Sequence, residues 1–446
     1  MLYKIEKPPI EKLNQEKLFE LFVAYQENKD GIAAQYQATI EPEYLYWDKV
    51  RFKSGIPSDV RVEEFWSLVK FIRRAQSVET VLTAESGQKF SWLRLPGLER
   101  FLHEVDLNMG GNLFALSDGV DDTNRYKFIS RGVMEEAIAS SQLEGAHTTR
   151  EAAKQMLREG RKPRNNSERM ILNNYRAMRT IEAEYKDRKI SLETIFQLHA
   201  MLTKDTISPD QQGRFRKDTE NIIVGDDSGV VYHIPPKRAF VEQQMNALIA
   251  FANDEPEQPF LHPVIKAIML HFWIGYLHPF TDGNGRLARA MFYWYLLSKN
   301  YWAFGYLPIS RVIKKSPVQY GMAYVYAEQD DLDLTYFLDY NLRKIKMAVK
   351  EFDEYLKRKA KENAQMNKLS KLRYNFNDRQ IQLLQFFSKN KDHRTSITIH
   401  MNVNQVSRAT ANTDIQRLAT TGFIKARKVG KHVYYYATEK VDALFK

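Results

Sequence analysis

The stretch 264–298 constrains this chain most. Residues 264–277 (Val-Ile-Lys-Ala-Ile-Met-Leu-His-Phe-Trp-Ile-Gly-Tyr-Leu) are apolar nearly all round, which predicts a central helix buried on every side. A second helix is expected over 285–298. Between them stands His278-Pro279-Phe280-Thr281-Asp282-Gly283-Asn284-Gly285-Arg286-Leu287-Ala288-Arg289. A helix of this kind needs a shell around it. The sequence supplies helical patterns over 131–161, from Glu168 to about Lys186 with Ser167 as N-cap, and over 191–202 and 240–253. Asn221-Ile-Ile-Val-Gly225 and Val230-Val-Tyr-His-Ile234 flank Asp226-Asp-Ser-Gly229, a β-hairpin signature in an otherwise helical chain. Residues 203–220 read as loop, and 1–95 as helix-like spacing without a defensible motif.

The loop carries the chemistry. Gly283 and Gly285 can take positive φ and turn backbone N–H groups into one concavity, to which the following helix adds its own free N–H groups. Arg286 and Arg289 are three apart, share a helix face and can fork onto neighbouring anionic oxygens. This is a polyphosphate cradle, but no Gly-Lys-Ser/Thr follows, so it is not a P-loop. Asp282 is a hard oxygen ligand suited to Mg²⁺ shared with phosphates, and His278 is the one group there able to act as a neutral base. The plain alternative is a helix cap followed by a turn. The combined offsets of His, Asp, two Gly and two Arg argue against it.

Those residues resemble the signature of the Fic (Fido) family, His-x-Phe-x-Asp/Glu-Gly-Asn-Gly-Arg-x-x-Arg, at every fixed position. The resemblance implies that His278 deprotonates a target hydroxyl, which attacks the α-phosphate of ATP so that AMP is transferred and pyrophosphate leaves. It implies ATP and Mg²⁺ as substrate and cofactor, with Asp282 as metal ligand. Thr281, Asp282, Gly283, Asn284 and Gly285 then lie along the nucleotide, and Arg286 and Arg289 hold its β- and γ-phosphates. Tyr320 is placed to wall an adenine pocket, although a helical Tyr is more often core. Upstream, Ser140-Ser-Gln-Leu-Glu144-Gly145 resembles the family's inhibitory motif, on a helix at about 131–147. By resemblance, Glu144 pairs with Arg289 in place of the γ-phosphate. The hairpin matches the family's flap, where Ile223, Val224, Val231 and His233 would receive a target's backbone by β-augmentation. A surface hairpin without a partner is the alternative. Gly213-Arg-Phe-Arg216 resembles an element before the flap, with a structural role only. His271 reads as a core or supporting histidine, and no zinc-binding pattern is present.

Charge separates the far end of the chain. The net charge is +11 over 446 residues, and residues 366–446 hold 15 Lys and Arg against 5 Asp and Glu. Within 372–446 the order helix, helix-turn-helix, two strands is that of a winged helix. Its second helix opens with Arg408, Thr410 and Asn412, able to read base edges, and Arg427, Lys428 and Lys431 would reach phosphates. Duplex DNA is one expected partner, and a winged helix used for protein contacts is the other.

The expected fold class is therefore mainly α: a Fic-type helical core with a β-hairpin flap, plus a C-terminal winged helix-turn-helix of α+β type. The expected division is 1–127 helical, 128–345 core, 346–371 helical linker and 372–446 winged helix. The expected activity is protein adenylyltransfer to a Ser, Thr or Tyr hydroxyl of a protein, itself included, restrained by Glu144. Removal of AMP at the same site and a nucleotide-sensing DNA-binding regulator are the two rivals. The family resemblance allows a homodimer. With 43% hydrophobic residues the chain can bury a large core, and the absence of Cys removes thiolate chemistry. The start lacks an apolar signal core, and 267–277 is too short to cross a bilayer, which takes about 20 residues. No membrane partner and a cytoplasmic location are the expectations.

Overall fold

The computed structural model describes residues 2–9, 15–109, 122–226, 228–255, 259–388, 393–430 and 432–445. The fold is mainly helical, with three small sheets among the described residues. From Val264 to Leu277 every residue but Gly275 is buried, as the unbroken apolar pattern requires. Pro263 opens this helix, and the His262 ring accepts the Val264 N–H at 3.2 Å. The short loop 278–283 brings the Asn284–Ser298 helix back against it. Around this pair lie Leu192–Thr203, Arg238–Ala252, Asn166–Thr180 and the start of Thr335–Arg373, sharing one apolar core. Each fully buried large side chain there, such as Phe272, contributes roughly 1.5–3 kcal/mol.

The Asp122–Leu143 helix is fixed to that core at two points. A Cβ on Gly132 would stand 2.4 Å from the Tyr306 Cα, so helix and turn meet backbone to backbone. One turn on, the buried Glu136 carboxyl receives the Ser310 N–H at 2.9 Å, the Tyr293 hydroxyl at 2.8 Å and the Ser310 hydroxyl. Burial pushes its pKa up despite these donors.

Several boundaries differ from expectation. Asn165, not Ser167, caps Asn166–Thr180, accepting the Glu168 N–H at 2.9 Å, while Ser167 Oγ accepts the His147 N–H at 3.1 Å. Residues 78–92, read only as part of a helical region, form an antiparallel hairpin, Val78–Thr83 with Lys89–Trp92. Its β-branched run and Gly87 at φ +83° are the local cause. The N-terminal helices enclose a second cluster around Trp47, Phe65 and Trp66, joined to the core through Val325 and Tyr336. Buried Arg73 ties it together: its guanidinium lies 3.8 Å over the Tyr44 ring and donates to the carbonyls of Thr39 and Leu45, each at 2.9 Å.

Thr335–Arg373 runs unbroken to the C-terminal unit, whose three-stranded sheet has the order Arg394–Thr395, His432–Ala437, Ile424–Val429. Asp378–Ser388, Ile397–Asn404, Arg408–Thr420 and Glu439–Phe445 are its helices. Ile397–Asn404 runs to a reversal at Gln405 with φ +51°. Ile415 and Leu418 point inward as their spacing requires. Beside them Asp414 is buried under Arg379 (2.6 Å), Asn377 (2.6 Å) and His400 (3.2 Å). Burial alone would raise its pKa, and these donors instead hold it far below the usual carboxylate range.

Candidate active site

The loop 278–283 is held mainly by bonds to its own backbone. Asn284 reaches back to Phe280 twice, accepting its N–H at 2.9 Å and donating to its carbonyl at 2.8 Å. The Phe280 ring stacks on His199 at 3.8 Å and 9°. His199 Nδ1 accepts the Gly213 N–H at 3.0 Å, so its proton sits on Nε2, which donates to the Asp282 carbonyl at 2.9 Å. Desolvation pushes this imidazole down to about 4, so it is neutral at pH 7. From the other side buried Arg216 donates to the His278 carbonyl at 2.8 Å and to the Pro236 carbonyl, and its N–H reaches the Pro279 carbonyl at 2.9 Å. His199 and Glu328 (below) carried no sequence signal, because their partners are distant in the chain. Arg216 lies in the segment read as structural.

His278 ends the central helix in the left-handed region, φ +44°. Its Nδ1 faces the Gly275 carbonyl at 3.4 Å, which favours a proton there and leaves the Nε2 lone pair free. Desolvation, then the field of His233, push the ring down to about 3. The neutral form a base requires is therefore the one present. His271, seven residues earlier, is buried with Nε2 2.8 Å from the Tyr320 hydroxyl and is likewise pushed down to about 3, chiefly by desolvation. Tyr320 is half-buried against the core through this contact.

Gly283 has φ +80°, and a Cβ there would meet Thr203 Cγ2 at 2.8 Å. It starts the Asn284–Ser298 helix, whose N-terminus no side chain caps. Over that end lies Glu144. A Cβ on Gly285 would stand 2.2 Å from Glu144 Oε1, and the same oxygen accepts from Arg289 Nη2 at 2.9 Å. Ser140 completes the grip: its hydroxyl accepts from Arg289 Nε at 2.8 Å and its carbonyl from Nη2 at 3.0 Å. Gly145 follows with φ +87°. Arg289 Nη1 and Thr281 Oγ1 are buried without a hydrogen-bond partner.

Two expectations are corrected. Arg286 does not join Arg289 in facing the cradle. It is fully buried, donating to the Leu202 carbonyl at 2.9 Å and to Asp282 Oδ2 at 3.1 Å, so it braces the loop from beneath. His233 does not face outward for a docking partner. Its Nε2 meets the Tyr276 carbonyl and its Nδ1 the Glu328 carboxylate, both at 2.7 Å. Both nitrogens face acceptors. Burial alone would lower its pKa, and Glu328 reverses that to hold the ring above its ordinary value. Ile223 is exposed, and Val224 and Val231 are half-buried.

The residues present fit a metal-bound polyphosphate. An orphaned guanidinium nitrogen and hydroxyl line an uncapped helix start, and the Asp282 side chain is 47% exposed beside them. Among the described residues no group of three or more His, Asp or Glu could hold a metal alone, so Asp282 would share a Mg²⁺ with phosphates and water.

Residues 189–296 match the family model described as Fic/DOC family. Protein adenylyltransferase Fic of Nematostella vectensis is 35% identical over 107 residues, 24% of this chain and 22% of that protein. Protein adenylyltransferase Fic of Aedes aegypti is 31% identical over 128 residues, 28% of this chain and 23% of that protein. The chain therefore spans less than a quarter of the length of either relative. A Fic family protein from Desulfovibrio desulfuricans G20 superposes over 77% of this chain and 95% of its own, with a TM-score of 0.48 and 17% identity. The matched residues include His199, Arg216, the hairpin and 278–289, while Ser140, Glu144 and Tyr320 stand outside them.

Outside the matched residues, Arg408 and Asn412 are exposed on one helix of the C-terminal unit, and Arg427 and Lys428 on the Ile424–Val429 strand. Thr410 is half-buried, with its hydroxyl 2.9 Å from that of Ser407. Lys431 lies outside the described residues. No described helix is long and apolar enough to cross a membrane.

Proposed function

We propose that this chain is a protein adenylyltransferase held inactive by Glu144. The observation that carries the reading is the convergence on one helix start of a neutral His278 with Nε2 free, the half-exposed Asp282 carboxylate and the orphaned Arg289 Nη1. A target hydroxyl oxygen attacks the α-phosphorus of ATP while His278 Nε2 takes its proton. The bond from the α-phosphorus to the bridging oxygen breaks, and pyrophosphate leaves with its electron pair. Mg²⁺ on Asp282 would neutralise charge on the phosphates. The helix N-terminus and Arg289 offer fixed donors to the same charge, which is where phosphoryl-type transfer needs help.

Glu144 opposes this by position. Its oxygen lies against Gly285 and holds Arg289, so a phosphate at that place meets both a clash and a like charge. One specific feature supports hydrolysis as a second reading: Glu144 stays 24% exposed, able to orient a water that attacks the phosphorus of a protein-bound AMP and releases AMP and the free hydroxyl. The C-terminal unit reads as a winged helix that grips duplex DNA through Arg408, Asn412, Arg427 and Lys428.

The test is incubation of wild type, Glu144→Gly and Glu144→Gly/His278→Ala with α-labelled ATP and Mg²⁺. Label on the single variant alone is the expected result. Label retained without His278 would remove the base assignment, and no label on any of them would shift the reading to AMP removal.

A further inference from the structure

The hairpin does not present two free edges. Its inner strand, Val231–His233, has Val224–Gly225 on one side. On the other side lies the chain's own residue 2, in a parallel bridge to Val231, and the Tyr3 N–H donates to the Val231 carbonyl at 2.7 Å. The Tyr3 ring packs on Tyr232 with centroids 5.4 Å apart. From there the segment continues extended. Gln329, last residue of the Pro317–Gln329 helix, serves it as a one-residue strand: its amide donates to the Tyr3 carbonyl at 2.9 Å and accepts the Ile5 N–H at 3.0 Å. Tyr46 adds a bond to the Glu6 carbonyl at 2.9 Å, and Lys7 reaches the Gln329 carbonyl. Side chains alternate, with Tyr3 and Ile5 inward and Lys4 and Glu6 exposed.

This is the pattern of an extended peptide bound at a sheet edge, where main-chain bonds hold the backbone and alternate pockets read side chains. We propose that the outer edge of Val231–His233 is a docking edge for an extended segment with an aromatic–x–aliphatic pattern, and that residues 2–7 occupy it in cis. A target segment of like pattern must displace them. The same strand ends in His233, whose ring reaches the Tyr276 carbonyl two residues before His278, so the edge belongs to a strand tied to the helix that carries the base. The inference rests on reading the hairpin as the place where a target docks. It adds to Glu144 a second restraint that acts on the protein substrate and leaves the nucleotide untouched.

The test uses a fluorescein-labelled peptide with the sequence of residues 2–9, Leu-Tyr-Lys-Ile-Glu-Lys-Pro-Pro, and fluorescence anisotropy with the full chain. A tethered resident acts at about millimolar effective concentration, so wild type should bind the peptide at least about tenfold more weakly than Tyr3→Pro, whose resident lacks the N–H and the ring. Adding Gln329→Ala to Tyr3→Pro should weaken the peptide again, because the peptide needs the same amide. Equal affinity for wild type and Tyr3→Pro, absence of binding to either, or indifference to Gln329→Ala would each overturn the proposal. If Tyr3→Pro does not fold, a chain lacking residues 1–4 takes its place in the same comparison. Peptide binding is read without any transfer, so failed labelling of Glu144→Gly would count against the adenylyltransferase reading and leave this one standing.

Discussion

The loop 278–283 and the end of the Asp122–Leu143 helix meet at Arg289, but they are built on different physics. The loop is fastened by directed, mostly uncharged bonds to its own backbone: Asn284 to Phe280, His199 to Asp282, Arg216 to His278. The end of the helix is fastened to the site by a carboxylate on a guanidinium. Bonds of the first kind keep one geometry whatever the site contains. A bond of the second kind is open to competition from any anion of matching shape. The site is therefore preorganised on one side and exchangeable on the other.

His278→Ala in the Glu144→Gly background should break the contrast most sharply, with transfer falling about 10²- to 10⁴-fold at unchanged melting temperature. A smaller fall would take the proton elsewhere. Acid should act next. His199 and His271 are buried with pKa values pushed down to about 4 and about 3, so the unfolded chain takes up protons below about pH 6.5 that the fold refuses. Stability should fall as pH drops from there, by up to about 3 kcal/mol per pH unit for the pair, read in urea titrations. His233, whose pKa is raised, works the other way: its contribution is fully present below about 6.5 and is lost as pH rises past its folded value. His278 is pushed down to about 3 as well, so His199→Ala should remove only about a quarter of the three histidines' acid dependence. It also leaves the Gly213 N–H and the Asp282 carbonyl unpaired, at about 1–3 kcal/mol each, so melting temperature and kcat should fall together. An unchanged kcat would mean the loop keeps its shape without the imidazole.

Glu144→Gly should cost about 1.5–3 kcal/mol of stability, the worth of one charge-assisted hydrogen bond, and raise labelling roughly ten- to a hundredfold. If labelling stays flat while ATP affinity rises, the carboxylate excludes nucleotide without limiting transfer. The smallest effect is expected far from this junction. Arg427→Ala and Lys428→Ala should each lower the salt slope of duplex DNA binding by about one, with labelling unaffected.

Much of this was legible in the sequence. The all-apolar run 264–277 could only be a buried helix, and the helix expected over 191–202 is observed as Leu192–Thr203. Of the two glycines expected to take positive φ, Gly283 does and Gly285 does not, because it lies in the first turn of the helix, where it gives room to the Glu144 oxygen instead. Face arithmetic failed at Arg286, because sharing a face with Arg289 does not fix where a long side chain ends, and Leu202 offered a buried carbonyl. It failed at His233 because period-two alternation gives two faces and cannot name the covered one. The Val78–Trp92 hairpin was hidden by its helical surroundings, and the contact of Glu144 with Gly285 joins residues too far apart for any periodicity to pair.

That contact has a consequence for how the site can be opened. The Glu144 oxygen fills the volume a Gly285 Cβ would need, so exclusion there is a matter of space as well as of charge. Dissolved salt screens exposed charges and barely reaches a partner as buried as Arg289. Raising ionic strength leaves the oxygen where it is. Under the proposed restraint by Glu144, the closed state behaves as a mechanical stop and responds to displacement of the helix, which a bound molecule or a mutation supplies.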